Sequence, residues 1–424
     1  MLTYPLTLHF EVTDHCNNSC PHCYASSWIQ SPAKRPAKRA KPNIIELARR
    51  IVDSDVFDVV ITGGEPLILG IDRLSELFKF FNDNNVQYSL NTNGRLLSQA
   101  TCKELKDAGL QSVLISLHSW VDELHNEIVN APNAAGDTKN GIQNALNQGL
   151  RVAVNQVIDN RNIDTMYASS AELERMGVHQ ISFTRALSPM KVGYKVDTIN
   201  AARFLDEFLK CKENLNVSVV SLLPIPFCAD PRVKDLDVKL SCSGGISSAV
   251  LSCYGDVRFC PHDSHVWGNV FEEGFDTIWK RISEWREDLA APAECDDCSF
   301  VVDCRGACRV ASKLYSNDYT AMDPWARHSV KNYRRKVLYS EFDPDCSYRL
   351  SSDIRWRKEN EAFLLYFGAD HLLVNLDGVE FIRRLPQEFV PSELLSATEE
   401  NREVHFQFLN VLYYNGLLVN KGKL

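Results

Sequence analysis

Three cysteines near the N-terminus, Cys16, Cys20 and Cys23, are spaced C-x3-C-x2-C directly after an apolar run, TLHFEV (7–12). With 14 cysteines in 424 residues, chance would produce that spacing only about 0.015 times. Thiolates at such short intervals hold metal. A zinc ion wants a fourth close ligand, which His15 or His22 could supply. A four-iron cubane on three thiolates instead leaves one iron open to a coordinating substrate, as a reactive cluster requires. A second field is larger: eight cysteines lie between 228 and 308, including Cys242-x12-Gly255-x4-Cys260 and Cys295-x2-Cys298-x5-Cys304-x3-Cys308. Cys102, Cys211 and Cys346 stand alone, and the first two read as core thiols. Gly63-Gly64-Glu65-Pro66 adds a segment whose glycines permit close backbone approach and whose carboxylate can accept from an ammonium.

The elements that must position these groups follow a regular pattern. FDVVIT (57–62), VQYSLNT (86–92), SVLISLHS (112–119), RVAVNQVI (151–158) and HQISFTRA (179–186) read as strands after the first one. Amphipathic helical segments lie between them, with Gly109, Gly149 and Gly177 as C-terminal stops. Asn43 and Glu46 suit the cap of the first helix. Alternation of this kind predicts a parallel sheet, here an open partial (β/α)6 barrel over 1–210, whose ligands bind at the carboxyl ends of the strands. Residues 211–348 are short segments rich in cysteine and punctuated by Gly, Pro and Asp, which predicts an auxiliary domain organised by metal. Residues 349–424 predict a small winged-helix-like α+β domain: a hairpin over 363–375 turning at Gly368-Ala369-Asp370, helices over 376–385 and 401–416, and a short closing strand. The basic stretch 31–42 reads as a solvated loop or a flap near the substrate entrance.

The bulk numbers bound the rest. A hydrophobic share of 45% with 24% charged residues is that of a globular protein. There is no apolar run of spanning length and no secretory signal, so a membrane partner is not expected. A net charge of −9 argues against nucleic acid. Fourteen unevenly placed thiols in a cytoplasmic protein, the location these features imply, point to clusters rather than disulfides.

CNNSCPHC resembles the motif of the radical S-adenosylmethionine (SAM) superfamily, and further motifs follow in family order across residues 7–190. The resemblance implies that Cys16, Cys20 and Cys23 hold a SAM-binding [4Fe–4S] cluster. It implies SAM contacts from Gly63, Gly64, Glu65 and Pro66, from Asn91 and Asn93 in NTNG, from Ser116, and from Val157 on the fifth strand. His22 stands where the family usually places an apolar or aromatic residue against adenine. By the same resemblance SAM chelates the open iron, and one electron releases a 5′-deoxyadenosyl radical that abstracts a substrate hydrogen.

The second field resembles the SPASM domain of peptide-modifying relatives, which carries two auxiliary [4Fe–4S] clusters. Carried over, Cys242, Cys260 and Cys308 hold the first, with Cys253 as fourth ligand, and Cys295, Cys298 and Cys304 hold the second. A further cysteine expected after an Asp-Pro stretch is missing from MDPWARHS (322–329), which leaves Cys346 as its replacement or one iron open; Cys228 is a substitute ligand or a buried thiol. The C-terminal segment resembles the peptide-recognition element of ribosomal peptide biosynthesis, which adds a leader peptide to a sheet edge. The implied protein is a radical SAM oxidoreductase that matures a ribosomally made precursor peptide by an oxidative thioether or carbon–carbon cross-link. It would draw electrons from a flavodoxin or ferredoxin. Alternatives are a peptide epimerase, for which Cys228 is the candidate thiol, and a sulfatase-maturing oxidase. Asp263, flanking an auxiliary cysteine, is the candidate base.

Overall fold

The computed structural model describes residues 1–25, 41–187, 201–236, 238, 241–327, 330, 342–352, 354–367, 370–395 and 402–420. Most of the basic 31–42 stretch and the Gly368-Ala369 turn lie outside the described residues. The chain divides into two compact units, Met1–Arg334 and Arg335–Leu424.

The first unit is built on one ten-stranded sheet. Strands β1 (Thr7–Thr13), β2 (Asp58–Gly63), β3 (Gln87–Thr92), β4 (Ser112–Ser116), β5 (Arg151–Ile158), β6 (Gln180–Arg185) and β7 (Ser218–Ser221) pair in that order, all parallel. Helices α1 (Ile44–Val52), α2 (Ile71–Asp83), α3 (Gln99–Asp107), α4 (Asp122–Val129), α5 (Ala134–Asn147), α6 (Met166–Met176) and α7 (Ala201–Asn214) connect them. The caps are those the residues dictate: Asn43 Oδ1 accepts from the Ile45 amide at 2.8 Å, and Gly177 takes the left-handed conformation at the end of α6. Alternate strand residues such as Leu8, Phe10, Val59, Ile61 and Leu90 are buried with Leu74, Phe78 and Phe81 of α2 in one continuous core. Cys102 and Cys211 are fully buried in that core, as expected.

The six expected βα units are present, and the sheet extends beyond them on both sides. β7 follows β6, and at the other edge β8 (Ser248–Ser252) pairs parallel with β1. β9 (Asp256–Arg258) and β10 (Gly268–Asn269) continue it antiparallel. The cysteine-rich stretch thus supplies strands to the sheet and shares its core, through Phe259 and through Ile278 and Trp279 of α8 (Phe275–Asp288). A segment with few apolar residues gains burial by adding to an existing edge.

The second unit pairs β11 (Tyr348–Leu350) with β15 (Leu418–Asn420) and carries an antiparallel meander of β12 (Arg355–Glu359), β13 (Ala362–Phe367) and β14 (Asp370–Val374). Helices over Leu376–Arg384 and Arg402–Tyr414 bury Val379, Ile382, Leu409 and Leu412 against Leu365, Phe367 and Val374. The expected hairpin, helices and closing strand are therefore present, with β11 and β12 in addition. Among the described residues no helix is long and apolar enough to cross a membrane.

Candidate functional site

The sequence motifs meet at the carboxyl ends of β1 to β5. Cys16, Cys20 and Cys23 occupy the loop that leaves β1, and the glycines of Gly63-Gly64-Glu65 lie hard against its start. The Gly64 amide donates to Thr13 O and the Glu65 amide to His15 O, each at 2.7 Å. A Cβ on Gly64 would stand 1.9 Å from His15 O, so only glycine allows this approach. Glu65 is 1% exposed. Its Oε1 accepts from Thr92 Oγ1 at 2.7 Å and from the Leu67 amide at 3.1 Å, and its Oε2 from the Asn93 amide at 2.7 Å. Burial pushes its carboxyl up while these donors pull it down. A carboxylate offers about four acceptor directions; the protein itself uses three here, so Glu65 ties the loop after β2 to NTNG.

NTNG is in turn tied to the cysteine loop. Asn93 Nδ2 donates to Asn17 Oδ1 at 2.6 Å and lies 3.9 Å from Cys16 Sγ. Arg95 Nη1 reaches Asn17 O and Asn18 Oδ1, both at 3.0 Å, while its Nε holds Asp137 Oδ2 at 3.1 Å. Asn17 and Arg95 were not singled out from sequence, though Arg95 directly follows the motif. Asn91 and Ser116 are half-buried on β3 and β4, with Ser116 paired to Asn155.

Val157 on β5 anchors a histidine group. Its amide donates to His118 Nδ1 at 3.1 Å, and Asn162 Nδ2 bridges His118 O and Val157 O, each at 2.8 Å. The His118 amide donates to His125 Nδ1 at 3.1 Å, and the His22 ring meets His118 edge-on at 5.0 Å. Burial holds all three rings neutral: His22 and His125 are lowered to about 4 and His118 well below its usual value. His22 therefore presents a neutral, buried ring beside His118.

Do these residues fit iron–sulfur clusters? Among the described residues no three Cys, His, Asp or Glu side chains converge as on a single ion. The first three thiols are grouped more loosely: burial pushes Cys20 up first, and the neighbouring Cys23 and Cys16 add to it. A four-iron cubane spreads its thiolates more widely than one ion does, and its positive irons reverse the burial penalty on them. The second field forms two further groups. Cys260 is raised by burial and then by Cys242 and Cys308. Cys295 is pushed up to about 11 by burial and then by Cys228, Cys298 and Cys304. Beside them Arg286 and Arg309 are 2% and 0% exposed, and the Nε and Nη2 of each lack an acceptor among the described residues. Burial pulls both guanidiniums down, and Cys242 is the largest opposing charge on Arg286. Two buried cations with orphaned donors call for an anion, which a thiolate-ligated cluster is.

Three expected site residues have surroundings of their own. Cys253 has Lys41, Asp14 and Glu11 as its largest electrostatic neighbours, rather than Cys242, Cys260 and Cys308, because β8 carries it beside the end of β1. Cys346 belongs to the second unit, where its Sγ lies 3.4 Å from Asp343 Oδ2. Asp263 is 6% exposed and both its carboxylate oxygens accept from Tyr319 OH, at 3.0 and 2.9 Å. An ion pair joins the barrel to the auxiliary field, with Arg185 Nη1 2.9 Å from Asp323 Oδ1. Asp323 also accepts from the Cys308 amide at 3.1 Å.

Comparison with known proteins agrees with this geometry. Residues 10–167 match the radical SAM superfamily and residues 242–299 the SPASM iron–sulfur cluster-binding domain. The chain is 27% identical over 355 residues to the mycofactocin maturase MftC of Mycolicibacterium smegmatis, covering 79% of this chain and 87% of the relative. It is 24% identical over 349 residues to the AdoMet-dependent heme synthase of Methanosarcina barkeri, covering 77% and 97%. Its fold is similar to that of Streptococcus suis SuiB bound to its precursor peptide SuiA, with TM-score 0.62, 17% identity and 76% of each chain covered. The chain therefore belongs to the radical SAM superfamily, in the branch that adds a SPASM domain, and works with S-adenosylmethionine and [4Fe–4S] clusters, auxiliary ones included.

Proposed function

We propose that the protein is a maturase that installs an oxidative cross-link, a thioether or carbon–carbon bond, in a ribosomally made precursor peptide. The observation that carries this reading is the coexistence of the motif-lined strand ends, two auxiliary thiol groups and a separate C-terminal unit with an edge strand. When bound, SAM and its cluster supply a 5′-deoxyadenosyl radical that abstracts a hydrogen from the peptide. The chain's share is placement. Cys16, Cys20 and Cys23 hold the cluster, Glu65 and Asn93 fix the loops that receive the methionyl part, and His22 and Val157 flank the adenine. Asn91 and Ser116 line the intervening strand ends, and Gly63 and Pro66 shape the loop at Glu65. Positioning of this kind is what such a site contributes beyond the cofactor's own chemistry.

Cys242, Cys260 and Cys308, and Cys295, Cys298 and Cys304, would hold the auxiliary clusters, which would supply an outlet for the electron that an oxidative cross-link releases; a flavodoxin or ferredoxin would supply the first electron. In the C-terminal unit β14 pairs with β13 alone among the described strands and exposes Leu373. An extended leader can add there as a further strand. The similarity to the mycofactocin maturase supports a peptide substrate. The similarity to heme synthases supports a second reading, a step of heme synthesis on a tetrapyrrole. Epimerisation loses its candidate thiol, because Cys228 lies with Cys295, Cys298 and Cys304.

The test is the mass of a short peptide encoded beside this gene after anaerobic incubation with reconstituted protein, SAM and reductant. Loss of two hydrogens supports cross-linking. A gain of one mass unit in deuterated solvent means epimerisation. Deoxyadenosine formation with an untouched peptide, but with turnover of a tetrapyrrole, moves the assignment to the second reading.

A further inference from the structure

The MDPWARHS stretch (322–329) lacks the cysteine that would complete the second auxiliary group, yet the described residues of 322–330 lie against the group's thiols. Met322 Sδ lies 3.9 Å from Cys295 Sγ. The Val330 amide donates to Cys298 Sγ at 3.4 Å, and Val330 O accepts from the Ser299 amide at 2.8 Å. Between these contacts the Arg327 amide donates to Cys228 Sγ at 3.3 Å. One short stretch therefore touches Cys295, Cys298 and Cys228.

A second set of contacts places Cys228 from its own side. Phe227, the preceding residue, stacks on Phe300 with ring centroids 3.3 Å apart, and Phe300 lies between Cys298 and Cys304 in sequence. The Phe227 backbone hydrogen-bonds to the Cys304 thiol. Cys228 is also the largest thiol neighbour acting on Cys295, ahead of Cys298 and Cys304. Backbone N–H donors aimed at sulfur are the usual surroundings of cluster thiolates, where they set the potential. Of the four thiols, Cys228 and Cys298 receive such donors from the same stretch.

We infer that Cys228, from the segment between β7 and β8, is the fourth thiolate of the second auxiliary [4Fe–4S] cluster, with Cys295, Cys298 and Cys304. The ligand missing downstream is replaced from upstream, and on binding each of the four thiols gives its proton to solvent. A cluster closed by four cysteines has no iron free for a substrate, so it relays electrons and does not anchor the peptide. The inference rests on the SPASM assignment and is independent of which substrate is modified, since it is read from iron rather than from peptide mass.

The experiment uses the full chain, reconstituted anaerobically, with iron and sulfide counted and the oxidised protein examined by electron paramagnetic resonance. Cys228→Ala should bind about one to four fewer irons per chain, with a three-iron signal where only one iron is lost. Cys298→Ala should behave alike, and Cys346→Ala and Cys102→Ala should keep the full complement. Unchanged iron and spectrum in Cys228→Ala, or loss of iron in Cys346→Ala, overturns the inference. Should Cys228→Ala fail to fold, thiol alkylation of the unaltered protein decides. Modification of Cys228 only after chelation, in step with Cys298, sustains the assignment; modification in both states or in neither overturns it.

Discussion

The Asn93 amide donates to Glu65 Oε2 at 2.7 Å while Thr92 Oγ1 donates to Oε1 at the same distance. One buried carboxylate thus joins the ends of β2 and β3. Replacing it with an amide puts an N–H against one of the backbone donors that the carboxylate now receives, from Leu67 or Asn93. Glu65→Gln should cost about 1–3 kcal/mol, read as a lower unfolding midpoint. It should also weaken SAM binding at equilibrium, because the two loops proposed to receive SAM lose their common anchor. Unaltered SAM affinity in a destabilised variant would confine Glu65 to folding.

Arg95 clamps the cysteine loop through Asn17 O and Asn18 Oδ1 and is itself held by Asp137. Lysine cannot make these bonds at once, since it lacks the planar fork. Arg95→Lys should lose about 1.5–3 kcal/mol and, more tellingly, lower the iron retained by the first cluster and the rate of deoxyadenosine formation. Iron held by the auxiliary thiols should not change. An equal loss from all clusters would make the effect one of global folding.

Arg185 and Asp323 are 4% and 0% exposed, and they face each other across 138 residues of chain. Removing one charge of a buried pair leaves the other uncompensated. Asp323→Ala should cost about 3–5 kcal/mol and loosen the Cys308 amide that Asp323 receives. The double variant Arg185→Met with Asp323→Leu should recover much of the loss in chemical denaturation. Failure to recover would mean that the amide of Cys308, not the ion pair, is what Asp323 chiefly serves.

His125 gives a pH dependence. An unfolded histidine protonates near 6.5, whereas burial delays His125 to about 4. The unfolded state therefore binds more protons across this window, and stability is lost as pH falls from 6.5 toward 4. At pH 5 that loss is about 2 kcal/mol from this group. His125→Asn keeps an acceptor for the His118 amide and removes the titration. Unfolding midpoints measured between pH 7 and 5 should fall less steeply in the variant than in the unaltered chain.

How much of this could be read without a structure follows from how local each signal is. The helix caps at Asn43 and Gly177, the alternating burial of β1 and β2, and the cysteine intervals depend on residues within a few positions of one another, so they were legible. Glycine at 64 was legible as a close approach, though not what it approaches; His15 O is 49 positions away in sequence.

The sequence by itself determined the order of βα units, the residue types of the sites and the cysteine spacing, because periodicity and spacing are properties of neighbouring residues. Only the tertiary structure decided that β8 pairs with β1, that Glu65 is spent on the protein's own donors, and which thiols stand together. Cys228 and Cys253 illustrate the reason. Both belong to the second field but fall outside its two spaced motifs, and their surroundings are set by segments that pack beside them from elsewhere in the chain. The Arg327 amide donates to one, and the end of β1 lies beside the other. Such long-range pairings are fixed by burial of the shared core, which leaves no local mark in the sequence.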